Sequence, residues 1–206
     1  MSVSGNATGV RFGVATSTNR PATPFDGQVI SETDTDRLVV FNGSAWGSYG
    51  GLQLIKTQTI GSGVSSVSVT DAFSATYDNY KITISGGVGS TNTDFDFILT
   101  GSTTGYYYGV VYNSYNASTT SLGATNAAAW RYTGAITTGG LFFDMDILGP
   151  NLAKWTSYHS YLTRSDIQGF NSGNHQVATA YTGFTITAFT GNITGGTIRV
   201  YGYLNS

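Results

Sequence analysis

The chain has 206 residues, with 9 Lys or Arg, 11 Asp or Glu and a formal net charge of −2 at pH 7. Only 10% of its residues are charged whereas 14% are aromatic, which excludes a disordered chain and a surface that neutralises many nucleic-acid phosphates. Because cysteine is absent, disulfides and thiolate chemistry are excluded, and no apolar run approaches the ~20 residues needed for membrane insertion.

The first fifty residues predict a β-hairpin arm. Gln28–Thr33 and Arg37–Asn42 are rich in β-branched residues and flank the polar turn Asp34–Asp36. A two-stranded unit of this size is marginally stable alone and needs a partner surface. We therefore expect residues 1–50 to form an anchoring arm or adaptor, joined at Gly47–Gly51 to the rest of the chain.

The remainder alternates apolar and polar residues at the period of β-strands. The predicted strands are Val64–Val69, Tyr80–Ser85, Thr93–Thr100, Phe184–Phe189 and Thr197–Tyr203. The predicted turns between them are Gly86–Asn92, Gly101–Gly105, Asn171–Asn174 and Gly191–Gly196. Helical patterns are limited to single turns at Ala124–Trp130 and Asn151–Tyr158. This spacing predicts an all-β chain whose residues 52–206 form an antiparallel, jelly-roll-like β-sandwich head.

The stretch from Asn19 to Trp46 resembles a segment common in tailed-bacteriophage virion proteins. The family form is approximately RP..P.DGQ.I.ETDT..L.V..G..W, found in tail fibres, spikes and related appendages, and Phe41-Asn42 replaces its usual Tyr-Asp. The resemblance implies attachment to other virion proteins through residues 1–50. The matching residues expected to form the anchor are Arg20, Pro21, Phe25, Asp26, Gly27, Glu32 and Trp46.

The second part of the chain is similar to β-sandwich head domains of phage fibres and of capsid-decorating proteins. Phe73–Ile82 and Gly195–Tyr203 contain this likeness. It implies a homotrimer located at the tail or on the capsid surface of the virion. It also implies either adhesion to the host, with cell-surface glycan as the partner, or reinforcement of the particle.

Two aspartate pairs are candidates for Ca²⁺ binding or acid–base chemistry. Asp94 and Asp96 share one strand face, as do Asp144 and Asp146, because residues two apart point the same way. The favoured alternative is that they are solvent-facing carboxylates beside buried Phe95, Phe97, Phe143 and Met145.

The sequence predicts no catalytic residue, metal site or cofactor. His159 and His175 have no accompanying nucleophile motif and are expected to be ordinary surface or loop histidines, although a triad assembled in space stays open. The only glutamate, Glu32, lies in the arm, so a glycosidase carboxylate pair would require aspartates. We therefore do not expect an enzyme.

Aromatic residues cluster in one segment. Tyr106, Tyr107 and Tyr108 are consecutive, with Tyr112 nearby, and Trp130 could extend the group. They are candidates for stacking on a glycan or for a trimer contact. The favoured interpretation is core or interface packing, because large aromatic side chains usually bury their area.

These observations lead to three ranked hypotheses. The first is a phage virion structural protein, a short trimeric tail fibre or spike subunit with a host-surface-binding head. The second is a capsid decoration or head-fibre protein that stabilises the shell. The third is a polysaccharide depolymerase.

Overall fold

A computed structural model describes residues 12–48, 51–116 and 118–204, so part of the predicted arm, residues 1–11, lies outside the described residues. The chain divides into two compact units, Met1–Gly51 and Leu52–Ser206. Both units are built from β-strands, and the described ranges contain no helix. Accordingly, no helix in those ranges is long and apolar enough to cross a membrane.

The first unit contains a four-stranded sheet in the order β1-β2-β3-β4. Its strands are β1 (Gly13–Ala15), β2 (Val29–Glu32), β3 (Arg37–Phe41) and β4 (Trp46–Ser48). β2 and β3 form the predicted antiparallel hairpin, and Asp36 in its turn has a φ of 51°. The sheet is wider than predicted, because β1 pairs with β2 in parallel and β4 pairs with β3 antiparallel.

The described part of the second unit, residues 52–116 and 118–204, contains fourteen strands. They are β5 (Leu52–Thr59), β6 (Ser66–Val69), β7 (Asn79–Ser85), β8 (Val88–Gly89), β9 (Thr93–Leu99), β10 (Tyr106–Ser114), β11 (Thr119–Ala127), β12 (Ala135–Thr137), β13 (Gly140–Leu148), β14 (Thr156–Thr163), β15 (Ile167–His175), β16 (Phe184–Ala188), β17 (Ile193–Thr194) and β18 (Thr197–Tyr203).

Twelve of these strands belong to one hydrogen-bonded path that folds into two antiparallel sheets. The large sheet has the order β11-β10-β15-β14-β13-β7-β18-β5. The small sheet has the order β12-β9-β16-β6. β13 belongs to both, because Met145–Leu148 pair with β14 whereas Gly140–Phe142 pair with β12. The two sheets pack as the predicted β-sandwich.

The core lies between the two sheets and is rich in aromatic rings. The ring of Phe97 on β9 lies 4.8 Å from that of Phe184 and 5.9 Å from that of Trp130. Phe143 of the large sheet packs 5.5 Å from Phe95. Residues at alternate positions of each strand fill this space, as the period-2 pattern predicts. Further buried members are Tyr80, Ile82, Leu99, Met145, Ile147, Ile186, Ile198 and Val200.

Three local predictions are wrong. Asn171–Asn174 form no turn but lie within β15, where β10 and β14 on either side provide backbone partners. Ala124–Trp130 is not helical, because its first residues extend β11. Asn151–Tyr158 is a tight turn followed by β14, and Asn151 Nδ2 donates a hydrogen bond to the Tyr181 carbonyl across 2.8 Å.

Candidate functional site

An ion pair between Arg20 and Glu32 fastens the segment before β2 to the sheet of the first unit. Glu32 is 2% exposed, and its Oε1 accepts a hydrogen bond from Arg20 Nε across 2.5 Å. The Thr35 hydroxyl donates to the other carboxylate oxygen across 2.8 Å. The hydrogen bond from Arg20 holds the pKa of Glu32 below its ordinary value despite burial. Arg20 and Glu32 of the motif therefore stabilise the fold of the first unit.

Two glycines of the motif lie in turns with a positive φ, a backbone conformation that is strained for residues with a side chain. Gly27 has a φ of 80°, and its N–H donates to the carbonyl of Phe41 across 2.8 Å. Gly43 has a φ of 90°, and a Cβ there would lie 3.7 Å from the carboxyl group of Asp26. Asp26 and Gly27, predicted to belong to the anchor, thus lie at a turn beside the end of β3.

The remaining predicted anchor residues differ in exposure. Trp46 is half-buried, with its ring 5.5 Å from that of Phe41, and Pro21 is also half-buried. Phe25 is exposed. Phe25 is therefore the member of the predicted set that presents a large apolar side chain to solvent.

One face of the first unit's sheet is apolar and exposed. Val14 lies opposite Ser31 in register, and Ser31 lies opposite Leu38, so the three share a face. Val14 and Leu38 are both exposed, whereas Ile30 and Val39 on the other face are buried. This exposed apolar face is a candidate for contact with another molecule.

Tyr106 and Trp130, predicted as glycan or trimer contacts, are core residues. The Tyr106 hydroxyl accepts a hydrogen bond from the Leu99 N–H across 2.8 Å. The Trp130 ring packs 4.3 Å from Tyr158 and 5.3 Å from Tyr106. Both side chains are fully buried, so neither presents a ring on the surface of the sandwich. Their positions agree with the core-packing interpretation.

The other tyrosines of the cluster do not form one platform. A β-bulge interrupts the pairing of β10 with β11 between Tyr106 and Tyr108. Tyr107, Tyr108 and Tyr112 are half-buried. Tyr108 and Tyr112 pack against two different groups of buried residues. A single sugar-stacking surface made from all of them is therefore not formed.

His175 was predicted to lie at the surface or in a loop, but it is buried at the end of β15. Its Nε2 lies 2.9 Å from the Thr104 carbonyl oxygen. Nδ1 lies 3.3 Å from the Tyr181 hydroxyl, and Ser102 Oγ lies 2.7 Å from Nε2. Burial lowers the pKa of His175. These contacts link the loop before β10 and the segment before β16 to the end of β15.

The first aspartate pair does not face solvent as predicted. Asp94 is buried and lies 3.2 Å from Arg164 Nη1, and Asp96 Oδ1 lies 3.4 Å from Arg131 Nε. Burial raises the pKa of both carboxyl groups, that of Asp96 to about 6, against the opposing effect of the arginines. Asp94 and Asp96 point to the opposite side of β9 from the buried Phe95 and Phe97. Through Arg164 and Arg131, the two carboxylates connect the small sheet to neighbouring segments.

The second pair lies on the outer face of the large sheet and is joined by a lysine. Lys81 Nζ on β7 lies 2.5 Å from Asp144 Oδ1 and 3.2 Å from Asp146 Oδ2. Partial burial of the ammonium group opposes its charge, but the two carboxylates outweigh this effect and raise the pKa of Lys81. Asp144 is 48% exposed and Asp146 is 16% exposed. Asp144 is therefore the carboxylate that a ligand can approach.

Side chains from three further strands surround these charges. His159 Nε2 lies 3.2 Å from Asp146 Oδ2, and the Tyr203 hydroxyl donates to Asp146 Oδ1. Burial and this carboxylate raise the pKa of Tyr203 to about 12. Phe170 stacks on His159 at 6.1 Å and meets Tyr161 edge-on at 5.9 Å. The β13 patch is defined here as Lys81, Asp144, Asp146, His159, Tyr161, Phe170 and Tyr203.

Two hollows follow each other along β13 within this patch. The first, of about 300 Å³, lies between Asp144 and Tyr161 and is also lined by Phe142 and Thr163. This hollow borders core residues at the place where β13 stops pairing with β14, at Met145↔Ser160, and begins to pair with β12 of the small sheet. The second, of about 320 Å³, has a different lining. Its residues are Asn79, Asp146, Leu148, His159 and Tyr203.

Of the β13 patch, the sequence analysis named Asp144, Asp146 and His159 but did not predict that they lie together. Alternation along β14 could have placed His159 and Tyr161 on one face, because Tyr158, Ser160 and Leu162 are buried between and beside them. The register that brings β7, β13, β14 and β15 together is not readable from local patterns. Among the described residues, no group of three His, Asp or Glu side chains converges in a way that could hold a metal ion.

Searches against family models, curated proteins and solved structures give no significant match.

Proposed function

We propose that this chain is a structural subunit of a tailed-phage virion, a short trimeric tail fibre or spike whose β-sandwich binds the host surface. In this proposal residues 1–50 attach the subunit to other virion proteins. The sandwich formed by residues 52–206 binds without catalysing a reaction.

The observation that carries the proposal is the β13 patch. Tyr161 and Phe170 are 59% and 44% exposed on the outer face of a wide sheet, where they do not contribute to the core. Exposed aromatic rings beside charged groups on a rigid scaffold are typical of a recognition surface. The phage-like motif supports the attachment role, and most of its residues fold a small independent sheet with an exposed apolar face.

The first experiment is to locate the chain on intact particles by cryo-EM or gold-labelled antibody. Density at the tail or baseplate is expected, with three copies in each appendage. The purified full chain, mixed with host cells before phage, is expected to compete with adsorption. Absence from the particle would refute the structural role, and the absence of competition would refute adhesion.

A capsid decoration protein is the alternative, and the exposed apolar face containing Val14 and Leu38 favours it. A thin sheet with such a face can lie along a capsid subunit and add buried apolar area to the shell. Under this alternative the density is distributed over the capsid. Removal of the chain then lowers the temperature at which particles release their genome, while adsorption is unchanged.

A further inference from the structure

We propose that the β13 patch binds an uncharged oligosaccharide of at least two pyranose units lying along β13. This inference depends on the proposed host-surface function and specifies its site and ligand class. It assigns recognition to a sheet face formed by five neighbouring strands and not to the tyrosine cluster of β10.

The shape of the patch fits consecutive sugar units. Phe142 and Asp144 line the first hollow, and Asp146 and Leu148 line the second, so the hollows succeed each other along one face of β13. The centres of the two hollows are four residues apart on β13, which is about 13 Å at the rise of a β-strand, so a ligand that fills both must be longer than a single sugar. The facing strand β14 contributes Tyr161 to the first hollow and His159 to the second.

The chemistry of the first hollow suits a pyranose. Tyr161 presents an exposed ring on which the C–H face of a sugar can pack, and Phe142 is 47% exposed beside it. Asp144 has one oxygen on Lys81 and retains acceptor capacity for sugar hydroxyls, and the Thr163 hydroxyl can donate or accept. Aromatic packing combined with hydroxyl acceptors distinguishes sugars from purely apolar ligands.

The charges of the β13 patch disfavour two other kinds of partner, a protein surface and an acidic glycan. Lys81, Asp144 and Asp146 lie at the centre of the patch, whereas the core of a protein–protein interface is depleted of charged residues. A hydroxyl-rich ligand satisfies these groups without removing water from all of them. Two carboxylates against one ammonium also leave the patch net negative, so an acidic glycan would be repelled by Asp144.

The test is binding of the full chain to an immobilised array of neutral and acidic bacterial and synthetic glycans. Retention of neutral glycans is expected, and Tyr161→Ala should weaken it about tenfold, since the loss of ring packing removes on the order of 1.4 kcal/mol. Phe189→Ala is the matched control, because Phe189 is 52% exposed and follows β16 of the small sheet. This control should bind like the unmodified chain.

Asp144→Asn tests the proposed selectivity. The amide keeps an acceptor oxygen and Lys81 keeps Asp146, so neutral glycans should bind within about threefold while retention of acidic glycans should increase. Retention of acidic glycans alone by the unmodified chain would overturn the inference, as would no retention of any glycan. Equal retention by Tyr161→Ala would also overturn it.

The outcome is separable from that of the proposed function. A chain found on the virion that competes with adsorption, yet whose Tyr161→Ala variant competes equally, would retain its function and lose this site. Dissociation of the assembly in Tyr161→Ala, measured as native mass, would instead assign the patch to an interface between copies and overturn the inference. Absence from the virion would refute the proposed function by itself.

Discussion

Asp96 is held in a position where its charge is costly. It lies on β9 between the inward-facing Phe95 and Phe97, with one oxygen 3.4 Å from Arg131 Nε and without a well-formed hydrogen bond between those two atoms. The Arg131 guanidinium lies 3.7 Å from the centre of the Phe189 ring, which constrains its approach to the carboxylate. Burial therefore outweighs the attraction and raises the pKa of Asp96 to about 6.

This raised pKa gives a pH dependence of known sign. Between pH 7 and 4 the folded state takes up a proton on Asp96 before the unfolded state does, so the burial penalty disappears as the pH falls. Relative to Asp96→Asn, the unmodified chain should gain on the order of 1–3 kcal/mol in free energy of unfolding over that interval. Urea unfolding at several pH values measures the difference. Asp71→Asn, at an exposed site, is the control, and parallel curves for Asp96→Asn and the unmodified chain would contradict the prediction.

At Gly173 on β15, the backbone of β10 approaches so closely that no side chain fits. A Cβ there would lie 2.1 Å from the Tyr107 carbonyl oxygen, whereas a Cβ at Gly109 on β10 would meet nothing within 4 Å. Gly173→Ala must separate β10 from β15 and should lower the free energy of unfolding by about 1–3 kcal/mol. Gly109→Ala should leave it nearly unchanged. Equal denaturation midpoints for the two variants would show that the strands can relax.

At the scale of elements, strands that have a local apolar–polar period or flank a recognisable turn were predictable, whereas strands that form only through pairing were not. The predicted strands Thr93–Thr100 and Thr197–Tyr203 follow the apolar–polar period, and the structure forms strands at Thr93–Leu99 and Thr197–Tyr203. β1 has only three residues and forms because β2 lies beside it, so no local pattern announces it. Asn171–Asn174 has turn composition but gains ladder hydrogen bonds on both sides. Tertiary pairing there outweighs local preference.

The β13 patch could not be predicted for the same reason. β13, β14 and β15 follow one another along the chain, but β7 and β18 lie far from them in sequence. The residues of the patch meet only through the register of all five strands. Asp144 and Asp146 were predicted to face outwards next to buried Phe143 and Met145, and the burial of these two neighbours is confirmed. What the local sequence lacks is the identity of the strands beside them.

The ion pair between Arg20 and Glu32 ties the segment before β2 to the sheet of the first unit, so Glu32→Gln should loosen that unit selectively. The amide loses the charge-assisted hydrogen bond from Arg20 while its partner stays positively charged. We expect amide hydrogen exchange in β2 and β3 to accelerate by at least about tenfold, with exchange in β13 and β14 unchanged. Asp36→Asn removes a carboxylate from the same hairpin turn and should have little effect, since Asn tolerates a positive φ. Uniform acceleration in both units would contradict this prediction.

At the scale of the whole molecule, the proposed function places attachment in the first unit and binding in the second. Trp46 packs on Phe41 within the first unit. Trp46→Ala should therefore reduce incorporation of the chain into particles several-fold while the thermal midpoint of the sandwich stays within about 1 °C. Quantitative immunoblots of purified virions and calorimetry of the free chain measure the two effects. A comparable fall in the sandwich midpoint would show that Trp46 supports the second unit.

β5, the first strand of the sandwich, begins at Leu52, immediately after the first unit ends at Gly51. Its register with β18 extends from Leu52↔Tyr203 to Thr59↔Thr197, and β18 pairs in turn with β7, the neighbour of β13. Ladder hydrogen bonds lie across the strands, so a pull applied lengthwise to β5 strains the whole row at once instead of opening it pair by pair. A force that enters at Gly51 and acts along β5 would therefore load these ladder hydrogen bonds in shear.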